Sequence, residues 1–224
     1  MNTLLIKRLV LKDWYFLRVP IIGYLALGAV SLILIMNGGQ GAFFAGSVLL
    51  ITVLISMGIH LAFATVINER KEQTLPFIMS LPVSYMEFTT AKILANLLMF
   101  LIPWVAILIP AVALFAIGNV GGIIPFTVLL MTEIFTMYIL LLAVALISES
   151  QSWSIGAMVF GNLFLQAFLY WLSHIRSIGL DYTAKIHAAI WSPAAVTILA
   201  VEIALILLML GLTFFFQARK TDFI

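Results

Sequence analysis

The chain is 224 residues long, with 64% hydrophobic and 9% charged side chains, a mean hydropathy of +1.22 and a formal net charge of +2. Soluble domains carry about 25% charged residues, so this composition excludes an ordinary globular protein and leaves no room for a sizeable soluble domain. The lack of cysteine excludes a disulfide framework, a thiolate nucleophile and a cysteine-based zinc site, and so small a net charge gives no argument for nucleic acid as a partner.

In chain order, the first 18 residues form a basic arm. Leu5, Leu9, Trp14 and Leu17, broadened by Ile6, Val10 and Phe16, share a face, with Lys7, Arg8, Lys12 and Arg18 interspersed. This approximates an amphipathic helix in the lipid headgroup region, although a simple charged anchor reads the same way. The apolar run at 19–37 is longer than the 7–15-residue core of a signal peptide and reads as a retained span. A second run covers 42–67 and contains His60, four residues after Ser56 on the same helix face. A lone intramembrane histidine is more often a packing residue than a ligand.

The stretch 68–92 carries most information. Glu69, Arg70 and Glu72 supply charge at its start, and Thr74 can cap a short helix that tolerates Pro76 in its first turn. Leu75, Ile78 and Leu81 follow at helical spacing with Phe77 beside them, and Pro82 ends the helix after Ser80 and Leu81. Ser84 and Glu87 then form a capping box that opens a helix running into the third span, 93–117. A short apolar helix flanked by charge is expected to be a docking surface for another protein, with Phe77 or Leu81 as anchor. The competing reading is a helix lying back on lipid.

Pro103 and Pro110, seven residues apart, can bend the third span twice toward one side. The fourth span, 124–147, carries Glu133. The fifth, 153–173, places small residues four apart in the Ser152/Gly156 and Ala157/Gly161 pairs, which permits close helix contact. Residues 174–193 are too polar for a crossing and too apolar for a plain loop, so a helix or re-entrant hairpin on the outer face is expected. The sixth span, 194–217, carries Glu202, which like Glu133 lies about nine residues, or roughly 13 Å, from the outer end. A carboxylate at mid-helix costs on the order of 2.5–3.5 kcal/mol on insertion scales, so each is expected to face protein or water. Together with His60 they are candidates for a substrate pathway or proton relay; otherwise they are packing residues far apart.

The fold expected is therefore an all-α integral membrane protein of six transmembrane helices, a single domain over 1–224. Nine of the eleven basic residues fall on one side of an even number of spans, which places both termini in the cytoplasm.

The segment Glu69-Arg-Lys-Glu-Gln-Thr-Leu, then Ser80-Leu-Pro-Val-Ser and Ala91-Lys92, resembles the loop between the second and third spans of ABC-2 type transporter permeases, with Gln73 where glycine is common. The six-span layout, the N-terminal arm as an elbow helix and the outer segment ending in Trp191-Ser-Pro are similar to that family too. The resemblance implies the transmembrane subunit of an exporter in a bacterial-type inner membrane, moving drugs, peptides or lipid-like molecules. It implies a second permease copy or a related permease as partner, and cytoplasmic ABC ATPase subunits that hold ATP and magnesium. Residues 74–81 would be the coupling helix seated in the ATPase. The family likeness would place the first and fifth spans, and so Gly156, Ala157 and Gly161, near the dimer interface. No phosphate loop occurs in this chain, so it is expected to bind no cofactor and catalyse no reaction itself. The alternative is a proton-coupled secondary transporter in which Glu133 and Glu202 carry protons.

Overall fold

In the computed structural model, residues 3–37, 39–71, 85–118, 120–178 and 188–219 are described. Six helices long and apolar enough to cross a membrane account for nearly all of them, and the protein is a multi-pass, all-helical membrane protein. They are α1 (Thr3–Asn37), α2 (Gln40–Ala62), α3 (Tyr85–Ile117), α4 (Ile123–Ser148), α5 (Gln151–His174) and α6 (Pro193–Ala218). Helix α2 continues through a π-helical turn, Phe63–Ile67, into a last α-turn, Asn68–Lys71. No strand occurs among the described residues.

Helix α4 is the centre of the bundle. It is apolar around its whole circumference, mostly buried, and packs on α2, α3, α5 and α6, as a helix hydrophobic on every side must. Helices α5 and α6 bury less than a quarter of their spans and form the periphery. Aromatic stacking joins α3 to α4: the Phe100 ring lies 4.3 Å from that of Tyr138, and the Trp104 indole N–H donates to the Met131 carbonyl at 2.9 Å. Pro103 and Pro110 sit inside α3, which remains one helix through both. The α4–α5 connection is tight because Glu149 adopts a left-handed conformation (φ 57°), with its amide donating to the Ala145 carbonyl.

The arm is not separate from the first span. Helix α1 runs unbroken through Arg18, Val19 and Pro20, so residues 3–18 and the span form one rod of about 52 Å, well beyond a hydrocarbon core of about 30 Å. Nor is the arm's apolar face left wholly to lipid. Ile6 and Leu17 are buried, with Val10 and Trp14 packed on the core, while Phe16 is exposed. The described part of α3 begins at Tyr85, and Ser84 of the expected capping box lies outside the described residues.

One end of the bundle gathers the C-terminal part of α2 and the start of α3 with the C-terminal ends of α4 and α6, through a cluster of Val66, Ile67, Ile93, Leu142 and Leu146 with Phe214 against it. The start of α1 lies at this end too, held by the ion pairs described below. Both described ends of the chain therefore share one end of the molecule with the flanks of residues 72–84. At the opposite end Leu129, Phe168, Leu172, Ile178 and Ala195 form a second cluster, which holds the first turn of the outer segment onto α4, α5 and α6. Residues 179–187 lie outside the described residues.

Candidate functional site

At the end shared by the termini, four charges converge from three helices. The Lys92 ammonium, 1% exposed at the side chain, lies 2.9 Å from Asp13 Oδ2 and 2.6 Å from Glu69 Oε2. Lys12 reaches the other oxygens, 2.6 Å to Glu69 Oε1 and 3.3 Å to Asp13 Oδ1. Two bases and two acids make a neutral quartet, which is the arrangement that lets a lysine be buried. Local structure puts them there. Asp13 shares the buried ridge of α1 with Ile6, Leu17 and Ile21, at helical spacings of four and seven. Glu69 ends α2, and Lys92 lies two turns into α3. The quartet thus fastens both flanks of residues 72–84 to the start of α1.

One turn further along α3, a second polar group continues inward. The Asn96 amide donates to the Lys92 carbonyl and to the Thr65 hydroxyl, both at 2.9 Å, and its oxygen accepts from the Tyr138 hydroxyl at 2.9 Å. Thr65 donates to the Leu61 carbonyl at 2.7 Å. Asn96, Thr65 and Tyr138 are fully buried, and each is satisfied, so the group tolerates a low-dielectric setting. Thr65 lies in the π-turn, where the Asn68 amide donates five residues back to Phe63. Such turns frequently mark functional positions in helices.

The acids of the fourth and sixth spans are both buried, on helices that pack against each other. Glu133 on α4 and Glu202 on α6 are 3% and 2% exposed. Glu133 Oε1 and both carboxylate oxygens of Glu202 are buried without a hydrogen-bond partner. His60 is not with them: it lies 3.2 Å from the Tyr24 hydroxyl, with the two rings edge to face. Among the described residues no group of histidine and acidic side chains could hold a metal.

The small residues of α5 divide. Gly161 is buried and faces Met137 of α4, and Ala157 packs on the core, while Gly156 opens outward with nothing near it. Two of the three therefore serve packing within the chain. Of the coupling-loop candidates, Glu69 is in the quartet and Arg70 belongs to the last turn of α2. Glu72, Thr74, Leu75, Phe77, Ile78, Ser80, Leu81 and Pro82 lie outside the described residues.

Reading by sequence missed Asp13, Thr65, Asn96 and Tyr138. Asp13 was hidden among the basic residues of the arm; the usable signal was an acid at a position where the helical period demands an apolar residue. Asn96 was visible as an amide inside a span, one turn after a lysine. No family model, no curated protein and no solved structure matches this chain.

Proposed function

We propose that the protein is the permease subunit of an ATP-binding cassette exporter, similar to the ABC-2 permeases, working with a second permease and driven by cytoplasmic ATPase subunits that bind ATP and magnesium. The supporting observation is the charged quartet. A loop that merely joins two spans gains nothing from a buried lysine held between carboxylates of two other segments. A loop that must deliver force does gain, because its two flanks and the start of α1 then move as one body. In this reading residues 74–81 seat in the ATPase, and the rigid rods α1, α2 and α3 carry its motion into the membrane. In this reading the end of the bundle where the basic residues gather faces the cytoplasm.

The experiment is to purify the full chain with its neighbouring gene products and ask whether an ATPase co-elutes. Phe77→Asp and Leu81→Asp should each abolish the association while leaving the chain folded. An ATPase retained by both variants would overturn the assignment of the docking helix.

A second reading is favoured by one observation, the unpartnered acid pair. Glu133 and Glu202 are suited to take up and release protons in a secondary transporter. Transport driven by a proton gradient without nucleotide decides for this alternative.

A further inference from the structure

Helices α2 and α5 both pack on α4, and between their outer halves they enclose a cavity of about 590 Å³. Its floor is apolar, formed by Leu130, Met131 and Ile134 of α4, and its rim is marked by Phe44 and Val48 of α2, both exposed where the bundle faces lipid. Pockets of 300–1,000 Å³ hold molecules of drug or single-chain lipid size. Beside Gly58 and Gly161 lies a separate slot of about 40 Å³. A Cβ on Gly58 would come within 2.9 Å of the Tyr138 ring, so even this slot exists only because a glycine stands there.

The polar groups on the wall define the head group. Ser47, Thr52, Ser56, Thr127, Asn162 and Gln166 line the cavity, and among the described residues no Asp, Glu, Lys, Arg or His does. Three of the hydroxyls have already used their hydrogens on their own helices: Ser47 donates to the Phe43 carbonyl at 2.8 Å, Thr52 to Val48 at 2.8 Å and Thr127 to Ile123 at 3.0 Å. The Asn162 amide nitrogen donates likewise to Met158 at 3.0 Å. What the three hydroxyls still offer is lone pairs, and Asn162 keeps its amide oxygen and one N–H. A ligand here gains by donating hydrogen bonds, and a charged head would be buried without a counter-charge.

The geometry points to a binding site for an uncharged amphiphile: a single apolar chain along the α4 floor, with a hydroxyl- or amide-bearing head among Ser47, Thr52, Thr127 and Asn162. The open rim between α2 and α5 allows entry sideways from the bilayer. That such a molecule is the cargo rests on the exporter reading; that it binds here does not.

The test is photoaffinity labelling of the full chain in lipid nanodiscs with three decyl-chain diazirine probes that differ only in the head: an N-acyl ethanolamide, a sulfate and a trimethylammonium. Saturable labelling of α2, α4 and α5 by the ethanolamide is expected, competed by the unlabelled compound and about tenfold weaker for either charged probe at equal bilayer concentration. Leu130→Trp fills the floor and should abolish this labelling, and Val48→Trp at the exposed rim should do the same without disturbing the core. Equal labelling by all three heads, labels spread over every lipid-facing helix, or labelling that survives Val48→Trp would each overturn the site. So would a cross-linked second copy covering the rim. Saturable binding that leaves co-eluting ATPase activity and transport unchanged would remove the cargo role alone. Absence of any ATPase would strike the exporter reading without touching the labelling.

Discussion

Lys92 shows how much one buried charge depends on its neighbours. Its side chain is 1% exposed, and water is replaced by Asp13 and Glu69. Removing one partner of a buried ionic group leaves the others without compensation, so Lys92→Met should lower stability by about 3–5 kcal/mol. Adding Asp13→Leu in the same chain should recover part of that loss, because it leaves Lys12 paired with Glu69 in place of one lysine between two carboxylates. Unfolding in detergent, followed for the wild type, both single variants and the double variant, measures the coupling. Strictly additive effects would mean that the pair does not act as a unit. At this scale the sequence was half legible. Lys92 and Glu69 stand out as charges beside apolar runs, but Asp13 is separated from Lys92 by 79 residues, and nothing local reports such a pairing.

The elements were far more legible than their contacts. Six spans follow from apolar run length, since a helix must satisfy its own backbone in lipid and needs about 20 residues to cross. Which glycine carries a helix crossing does not follow. The close approach of α1 and α2 lies at Gly46. A Cβ there would stand 2.7 Å from the Ser31 carbonyl and 2.9 Å from the Ile35 side chain. Gly46→Ala should therefore destabilise by about 1–3 kcal/mol through overpacking. Gly23→Ala, with open space around it on α1, should be neutral or gain up to about 1 kcal/mol of helix propensity. Matched thermal unfolding of the two variants checks the contrast, and the same sign in both would contradict the packing described. Helix α1 carries the other lesson at this scale. The arm's charge pattern suggested a change of element near residue 18, but Pro20 removes one amide donor without ending a helix whose flanks are packed on α2 and α3.

At the scale of the whole molecule, the central placement of α4 is what gives the buried acids meaning. Because α4 touches four other helices, Glu133 is buried among them, and Glu202 is buried on α6, which packs against α4. Glu133→Gln and Glu202→Gln should leave the fold intact or slightly more stable, since each replaces a buried, unpartnered acid with a neutral amide. Each should also slow transport or substrate-stimulated ATPase turnover by at least about tenfold, or 1.4 kcal/mol. Unchanged rates in both would reduce the pair to packing residues.

The sequence by itself determined the solvent of this protein, the number of its spans and the grouping of its basic residues. Those are sums over local composition, and each apolar run meets the bilayer on its own account. Tertiary structure alone decided that Asp13 closes on Lys92, that Thr65, Asn96 and Tyr138 satisfy one another, and that Glu133 and Glu202 are buried on two helices that pack together while His60 pairs with Tyr24. Between helices in lipid, packing shape and a few polar contacts choose the partner. Those choices depend on which faces meet, and a face has no identity until the helix beside it is known.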